Sequence, residues 1–356
     1  MKRAFSINGL SFAVLLTVTS QVSLATPKIT GSPKIVTPDL LEWPSEFPGD
    51  TPNLTEPTAN RLSDLHGQIG RCDIVLSTAG NYHMALREMW QHFLAKDKKT
   101  LDIKTWYYTT SPPIAPEQIT NKKVQFGNLN LDCIPQVAIG PKKLMKKLQS
   151  LNVTDGKPVK ILKNYGNVIL VKKGNPKNIK TVWDLGRSDV TLVTPNPKME
   201  PGSFGNFSNS IYNIAKNDPT PPKGQSADTL FNSIFNQDQT GCSKTATKCN
   251  WVSGKRIMHR EQPWAVYSGN ADAGFIFYHL ALYFVRTFPD KFEIVPVGGT
   301  ATNPKPLKGN KVGVLQAVRI RGKWTKKQKA AQEQLMISLK SEDFTKSLIK
   351  HGIRRP

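Results

Sequence analysis

The sequence predicts an α/β protein of two lobes, each a mostly parallel sheet flanked by helices, and three observations carry that prediction. Apolar runs ending in small polar residues alternate, through the first half, with apolar positions at helical spacing, the pattern of a parallel α/β sheet. The pattern then restarts near Tyr165 with GNVILVKKGNP, which begins a second domain. Finally, Trp264 to Tyr278, WAVYSGNADAGFIFY, reads as the end of a helix, a turn on Gly269 and Asn270, and a short buried strand. That unit places Tyr278 at a strand's carboxyl end, where open α/β sheets hold ligands. A tyrosine in an ordinary core strand is the plain alternative.

Residues 1–25 carry Lys2 and Arg3, an apolar stretch from Leu10 to Val18 and a small-residue ending at Ala25, the form of a cleavable signal peptide. The apolar part is too short to span a bilayer, so a periplasmic location is expected. Residues 26–65 are rich in proline and read as an extended arm. The first lobe is assigned 66–162 and 316–356, and the second 163–315, with an insertion at about 217–258.

In the first lobe, Arg71 to Leu76 is a strand, and a helix with Tyr82, Leu86, Met89, Trp90 and Phe93 on one face starts at about Asn81. A second strand spans Leu101 to Tyr108 and ends in Thr109, Thr110 and Ser111, and a third spans Ile134 to Ile139 ahead of a lysine-rich helix. The second lobe continues with the short helix VWDLG, the strand VTLVTPNP, a turn at Pro201 to Gly205 and a helix over about Asn206 to Ala215. After Tyr278 come the helix HLALYFVRTF, the strands FEIVPVG and KVGVLQAVRI, and a closing helical stretch.

The formal charge is +23, from 49 Lys and Arg against 26 Asp and Glu, a balance that draws anions. The basic residues are spread along the chain, with local clusters at Lys142, Lys143, Lys146 and Lys147 and from Arg319 to Lys329; no aromatic-plus-basic repeat suggests nucleic acid. Four cysteines in an exported chain imply two disulfides, and their spacing favours Cys72–Cys133 and Cys242–Cys249 over the other pairings. A metal site is the competing reading, but no CxxC occurs. GxSxG and HExxH are also absent, so no catalytic residues, metal or cofactor are expected.

The blocks IVLSTAGNYHMALREMW, PQVAIGPKKLM, GNVILVKKGNP, VTLVTPNPKMEPGSFG, NADAGFIFY and LKSEDFTKSLIKHGI, in that order, resemble the periplasmic solute-binding proteins of ABC importers. The likeness, from about Asp73 to Ile353, is to the molybdate/tungstate-type branch with the type II periplasmic binding protein fold. It implies a monomer that holds a small oxyanion in a cleft between the lobes and passes it to an inner-membrane permease. It also implies ligand contacts at Gly80 and Asn81, Thr110 and Ser111, Gly202 and Ser203, His259 or Arg260, and Tyr278. Asn81 stands where that branch usually has Ser, and Pro135 and Gln136 replace its usual acidic residue.

The residues support an anion site on their own chemistry, since turn and helix N-terminal N–H groups beside Ser, Thr and Asn present donors to an oxyanion. Ordinary helix caps at Ser111 and Ser203, a surface ion pair at Arg260 and a solvated or capping role for His259 are the alternatives. At the level of function, the alternative is the same fold using its basic surface on anionic glycans or lipids, or binding a carboxylate or phosphate.

Overall fold

A computed structural model describes residues 63–67, 73–101, 106–110, 115–126, 129–131, 134–198, 200–235, 251–254 and 258–356. The signal segment, most of the arm and all four cysteines lie outside these residues.

The first part of the chain forms β1 (Ser63–Gly67), β2 (Val75–Ala79), a 3-10 turn (Gly80–Tyr82), α1 (His83–Leu101), β3 (Trp106–Thr110), α2 (Pro116–Thr120), β4 (Val124–Phe126), β5 (Leu129–Leu131), β6 (Val137–Pro141), α3 (Lys142–Ser150) and β7 (Thr154–Lys163). The second part forms β8 (Asn167–Lys172), a 3-10 helix (Val182–Gly186), β9 (Leu192–Thr194), α4 (Pro201–Lys216), α5 (Ala227–Phe235), β10 (Trp251–Ser253), α6 (Met258–Ser268), β11 (Ala273–Phe277), α7 (Tyr278–Thr287) and β12 (Phe292–Val295). The chain then returns through β13 (Val314–Ile320), α8 (Lys326–Ser338) and α9 (Glu342–Lys350).

Two large sheets result, with strand orders β1-β3-β2-β6-β13-β7 and β10-β9-β11-β8-β12. The βα units form the parallel runs β3-β2-β6 and β10-β9-β11. The other strands join antiparallel, so each sheet is mixed where a mostly parallel one was expected. The reason is topological: β8 and β13, the strands that follow the two crossings between the sheets, run against their neighbours, as does the edge strand β1.

Four boundaries differ from the sequence reading. Ser63–Gly67, partly assigned to the arm, is an edge strand whose backbone pairs with the outer side of β3. Leu101 ends α1 rather than opening a strand, because it packs on the core that the helix covers. The helix assigned to about Asn206 begins at Pro201, whose fixed φ suits a first helical position. Within the assigned insertion, β10 is a true sheet strand anchored by buried Trp251, whose indole N–H donates to Thr194 Oγ1 at 2.6 Å.

Period-two alternation builds the first core on both faces of its sheet. Leu76, Ile139 and Ala317 face α1, α8 and α9, while Val75, Ala138 and Val318 face Ile119, Met145 and Leu148 of α2 and α3. In the second sheet, β11 is buried throughout and β8 is buried from Asn167 to Val171, as near-continuous apolar runs require. Gln136, fully buried, extends the first ladder with its side chain: its Oε1 accepts the Val75 N–H at 2.6 Å and its Nε2 donates to Asp73 O at 3.2 Å.

The chain crosses between sheets twice, over Asn164–Gly166 and over the segment ending at Gly313. Buried Asn164 accepts the N–H groups of Gly166 and Gly313 at 3.0 and 2.7 Å, while its own N–H donates to Gly313 O at 2.9 Å. Asn310 accepts the Asn167 N–H at 2.9 Å and donates to Asn167 O at 2.8 Å. Gly166 has φ +74, and a Cβ there would sit 2.8 Å from Asn310 Oδ1, so glycine alone lets the two crossings lie this close. Replacing Asn310 by Ala removes the partners of the Asn167 N–H and C=O; we expect a loss of about 2–6 kcal/mol of unfolding free energy, at about 1–3 kcal/mol for each of the two groups, measured by urea denaturation.

Candidate functional site

The carboxyl ends of the parallel strands build the site. Ala79 of β2 pairs in register with Thr110 of β3, so Gly80, Asn81 and Thr110 lie side by side at the edge of the first lobe. Ser111 lies outside the described residues. Tyr82, buried, accepts the Asn164 Nδ2 donor at 3.0 Å, which fixes the 3-10 turn to the first crossing.

His279, the second residue of α7, reaches across from the second lobe. Its Nε2 lies 2.8 Å from the Asn81 carbonyl, so that nitrogen carries the proton. Its ring stacks on Tyr82 at 4.6 Å and on Phe277 at 5.6 Å. Burial drives its pKa down to about 3, with a further push from His351, against the opposing pull of the Asn81 carbonyl. The imidazole is therefore neutral, and it joins the lobes as a hydrogen-bonding aromatic rather than as an ion.

On the second lobe, Gly202 and Ser203 sit in the first turn of α4 rather than in a preceding turn; Gly202 is exposed and Ser203 half-buried. The Glu200 carboxylate, just ahead of them, accepts the Met258 N–H at 2.9 Å and so joins the starts of α4 and α6. His259 and Arg260 follow Met258 in the first turn of α6, where the sequence placed them. His259 is only 4% exposed, which removes the solvated alternative. Its ring lies 5.8 Å from that of His83, the first residue of α1, and its Nδ1 has no hydrogen-bond partner among the described residues. Its pKa is held well below 6.5 by burial first, then by the positive potentials of His83, Arg260 and His279.

Tyr278 takes a different part from the one expected. Its backbone N–H donates to Gly166 O and its hydroxyl donates to Ala301 O, each at 3.0 Å, so both donors are engaged within the protein. The structure thus places Gly80, Asn81 and Thr110 at strand ends of one lobe and Gly202, Ser203, His259 and Arg260 in first helical turns of the other, while the Tyr278 phenol is turned to the Ala301 loop. Sequence reading missed Tyr82, His83, Glu200 and His279. The adjacency of His279 to the singled-out Tyr278 was a usable signal; nothing in local periodicity says that α1 and α6 meet.

The family model for bacterial extracellular solute-binding proteins matches residues 74–354. The chain belongs to this family. The fold of this solute-binding protein is similar to that of the sulfate-binding protein SubI from Mycobacterium tuberculosis, with a TM-score of 0.53 and 15% identity over 80% of this chain and 87% of that one. Peb3 from Campylobacter jejuni aligns with a TM-score of 0.49 and 15% identity over 80% of this chain and 100% of that one. The periplasmic molybdate-binding protein of Azotobacter vinelandii gives 0.49 and 16% over 80% and 99%. No curated protein matches the sequence. Among the described residues, no helix is long and apolar enough to cross a membrane, and no group of three His, Cys, Asp or Glu is placed to hold a metal ion.

Two outcomes follow for this solute-binding protein. The His279 pKa is depressed in the fold and ordinary in the unfolded chain, so its stabilisation is complete above about pH 6.5 and is lost as pH falls toward 3, by about 1.4 kcal/mol per unit. Urea midpoints at pH 7, 6 and 5 should fall in that order, and a His279→Gln variant should show a shallower slope. Tyr278→Phe should cost about 1 kcal/mol, the loss of one hydrogen bond, and leave anion affinity within twofold by calorimetry.

Proposed function

We propose that this solute-binding protein captures a small molybdate- or tungstate-like oxyanion between its lobes in the periplasm and delivers it, as a monomer, to an ABC permease in the inner membrane. The observation that supports this reading is the meeting of His83 and His259 from opposite lobes beside Arg260 and the first turns of α4 and α6. Imidazole, guanidinium, hydroxyl and helix N-terminal N–H groups are donors, and together they suit a ligand that is all acceptor. The residues proposed to hold it are Gly80, Asn81, Thr110, Ser111, Gly202, Ser203, His259 and Arg260, with Tyr278 forming the wall through its packing. A ligand touching both lobes favours the closed arrangement over the open one, and closure withdraws it from water. Capture of this kind calls for binding and hinge motion without bond chemistry.

A second reading, the same fold docking its basic surface on anionic glycans or lipids, is favoured by α3, which exposes Lys142, Lys143, Lys146 and Lys147. Glu117, 3.5 Å from Lys147, is an acidic partner at that face. A thermal-shift screen with molybdate, tungstate, sulfate, phosphate and small carboxylates separates the readings. An anion at about 100 times its dissociation constant should stabilise the fold by about 2.7 kcal/mol. No shift with any of them, together with retention on heparin at physiological salt, would replace capture by surface docking.

A further inference from the structure

His83 and His259 come from different lobes and different helices, yet their rings lie 5.8 Å apart at 8% and 4% exposure. Hydrogen bonding does not account for the placement of the His259 Nδ1, which has no partner among the described residues. The charged and titratable groups around it are mainly basic. His83 faces it from α1, with Arg87 one turn further on; Arg260 follows it on α6; and His279 approaches from α7. Of the acids nearby, Glu200 accepts the Met258 N–H, and Glu261 lies in the first turn of α6, where its carboxylate is the nearest group to a Cβ built on Gly254.

A proton on His259 is therefore opposed by burial and by neighbouring positive potential. An anion seated against the pair reverses the sign of that potential. At an effective dielectric of about 20, one unit charge about 4 Å away changes the proton affinity of an imidazole by a factor on the order of a thousand. A doubly charged oxyanion supplies more than one such contribution.

We infer that the site takes up its anion together with a proton from solvent, lodged on the His83–His259 pair. The inference rests on the anion-capture reading and deepens it. The protonated pair offers one donor to each lobe's side of the ligand, so the proton helps to hold the closed arrangement as well as balancing charge. It also explains why the pair spans the lobe boundary, where both rings can reach a ligand only when the lobes are together. With the free-state proton affinity depressed and the bound-state affinity raised, binding must strengthen as pH falls between the two values.

Isothermal titration of the full chain with sodium sulfate and sodium molybdate at pH 6, 7 and 8, each in two buffers of different ionisation enthalpy, tests this. The expected result is a dissociation constant that tightens by up to about tenfold per unit fall in pH, with heats that differ between buffers in proportion to the protons taken up. His259→Gln, which keeps a donor but cannot be protonated, should bind with a flattened pH profile, and the wild-type buffer comparison stands even where the variant does not fold. Binding with the same constant at all three pH values and the same heat in both buffers overturns proton uptake while leaving anion capture in place. Absence of binding at every pH overturns both.

Discussion

The structure depends on how two crossing segments are paired where neither belongs to a sheet. Between the last rung of β7 and the first of β8, and again just before β13, the backbone leaves one ladder before joining another, and each buried orphan group there would cost about 1–3 kcal/mol. Asparagine side chains answer this because a carboxamide carries the donors and acceptors of a peptide group. One oxygen of Asn164 serves both Gly166 and Gly313, and Asn310 treats Asn167 as a strand neighbour would. Asn167 continues the network to Asn206 and Ser210 of α4, so the helix that begins at the site is tied to the crossing by the same carboxamides.

That arrangement fixes more than the hinge. Asn164 also holds the Tyr82 hydroxyl, Tyr82 stacks on His279, and His279 bonds the Asn81 carbonyl, which closes a circuit from the crossing to the turn that carries the candidate ligand groups. The C-terminus braces it from outside. Lys163 and Arg354 exchange two backbone hydrogen bonds at 2.7 and 3.0 Å, and the Arg354 guanidinium lies 4.5 Å over the Tyr165 ring between the crossing residues. Arg355 donates to the Leu339 carbonyl at the carboxyl end of α8, where a cation is electrostatically favoured. At Gly166 and Gly313 the crossings pack closely, since an added Cβ would sit 2.8 Å from Asn310 Oδ1 at the first and 2.9 Å from Asn164 Nδ2 at the second.

What was legible in the sequence is what local periodicity encodes. The buried β11 behind Gly269, the helix after the first strand and the lysine-rich α3 follow from patterns within fifteen residues, whereas the place of His259 and Arg260 at the start of α6 came from the family resemblance. Strand direction was not legible, because β8 and β13 look like any apolar run and their antiparallel entry is decided by where the chain crosses. Gln136 shows the same limit. In sequence it is a departure from an acidic position, whereas in space its carboxamide is a rung joining β2 to β6 and its carbonyl accepts from Ile320 and Gln332. The Tyr278 phenol was misplaced for a related reason. A strand's end fixes where a residue sits, but the direction of the side chain was decided by an acceptor on the distant Ala301 loop.

The large positive charge and the candidate site answer different questions. Exposed charges at physiological salt act over roughly 8 Å, so the lysines of α3 raise the local concentration of anions near the surface without telling one from another. Discrimination has to come from the lobe boundary, where the groups are buried, few and held in place. There the neutral state of His259 and His279 matters, because an imidazole that carries no charge in the empty site does not force the lobes apart or demand a counterion. The lobes meet there through the stacking of His279 on Tyr82 and the hydrogen bond from His279 to the Asn81 carbonyl. A site built with permanently charged side chains on both faces would have to separate them again each time it emptied.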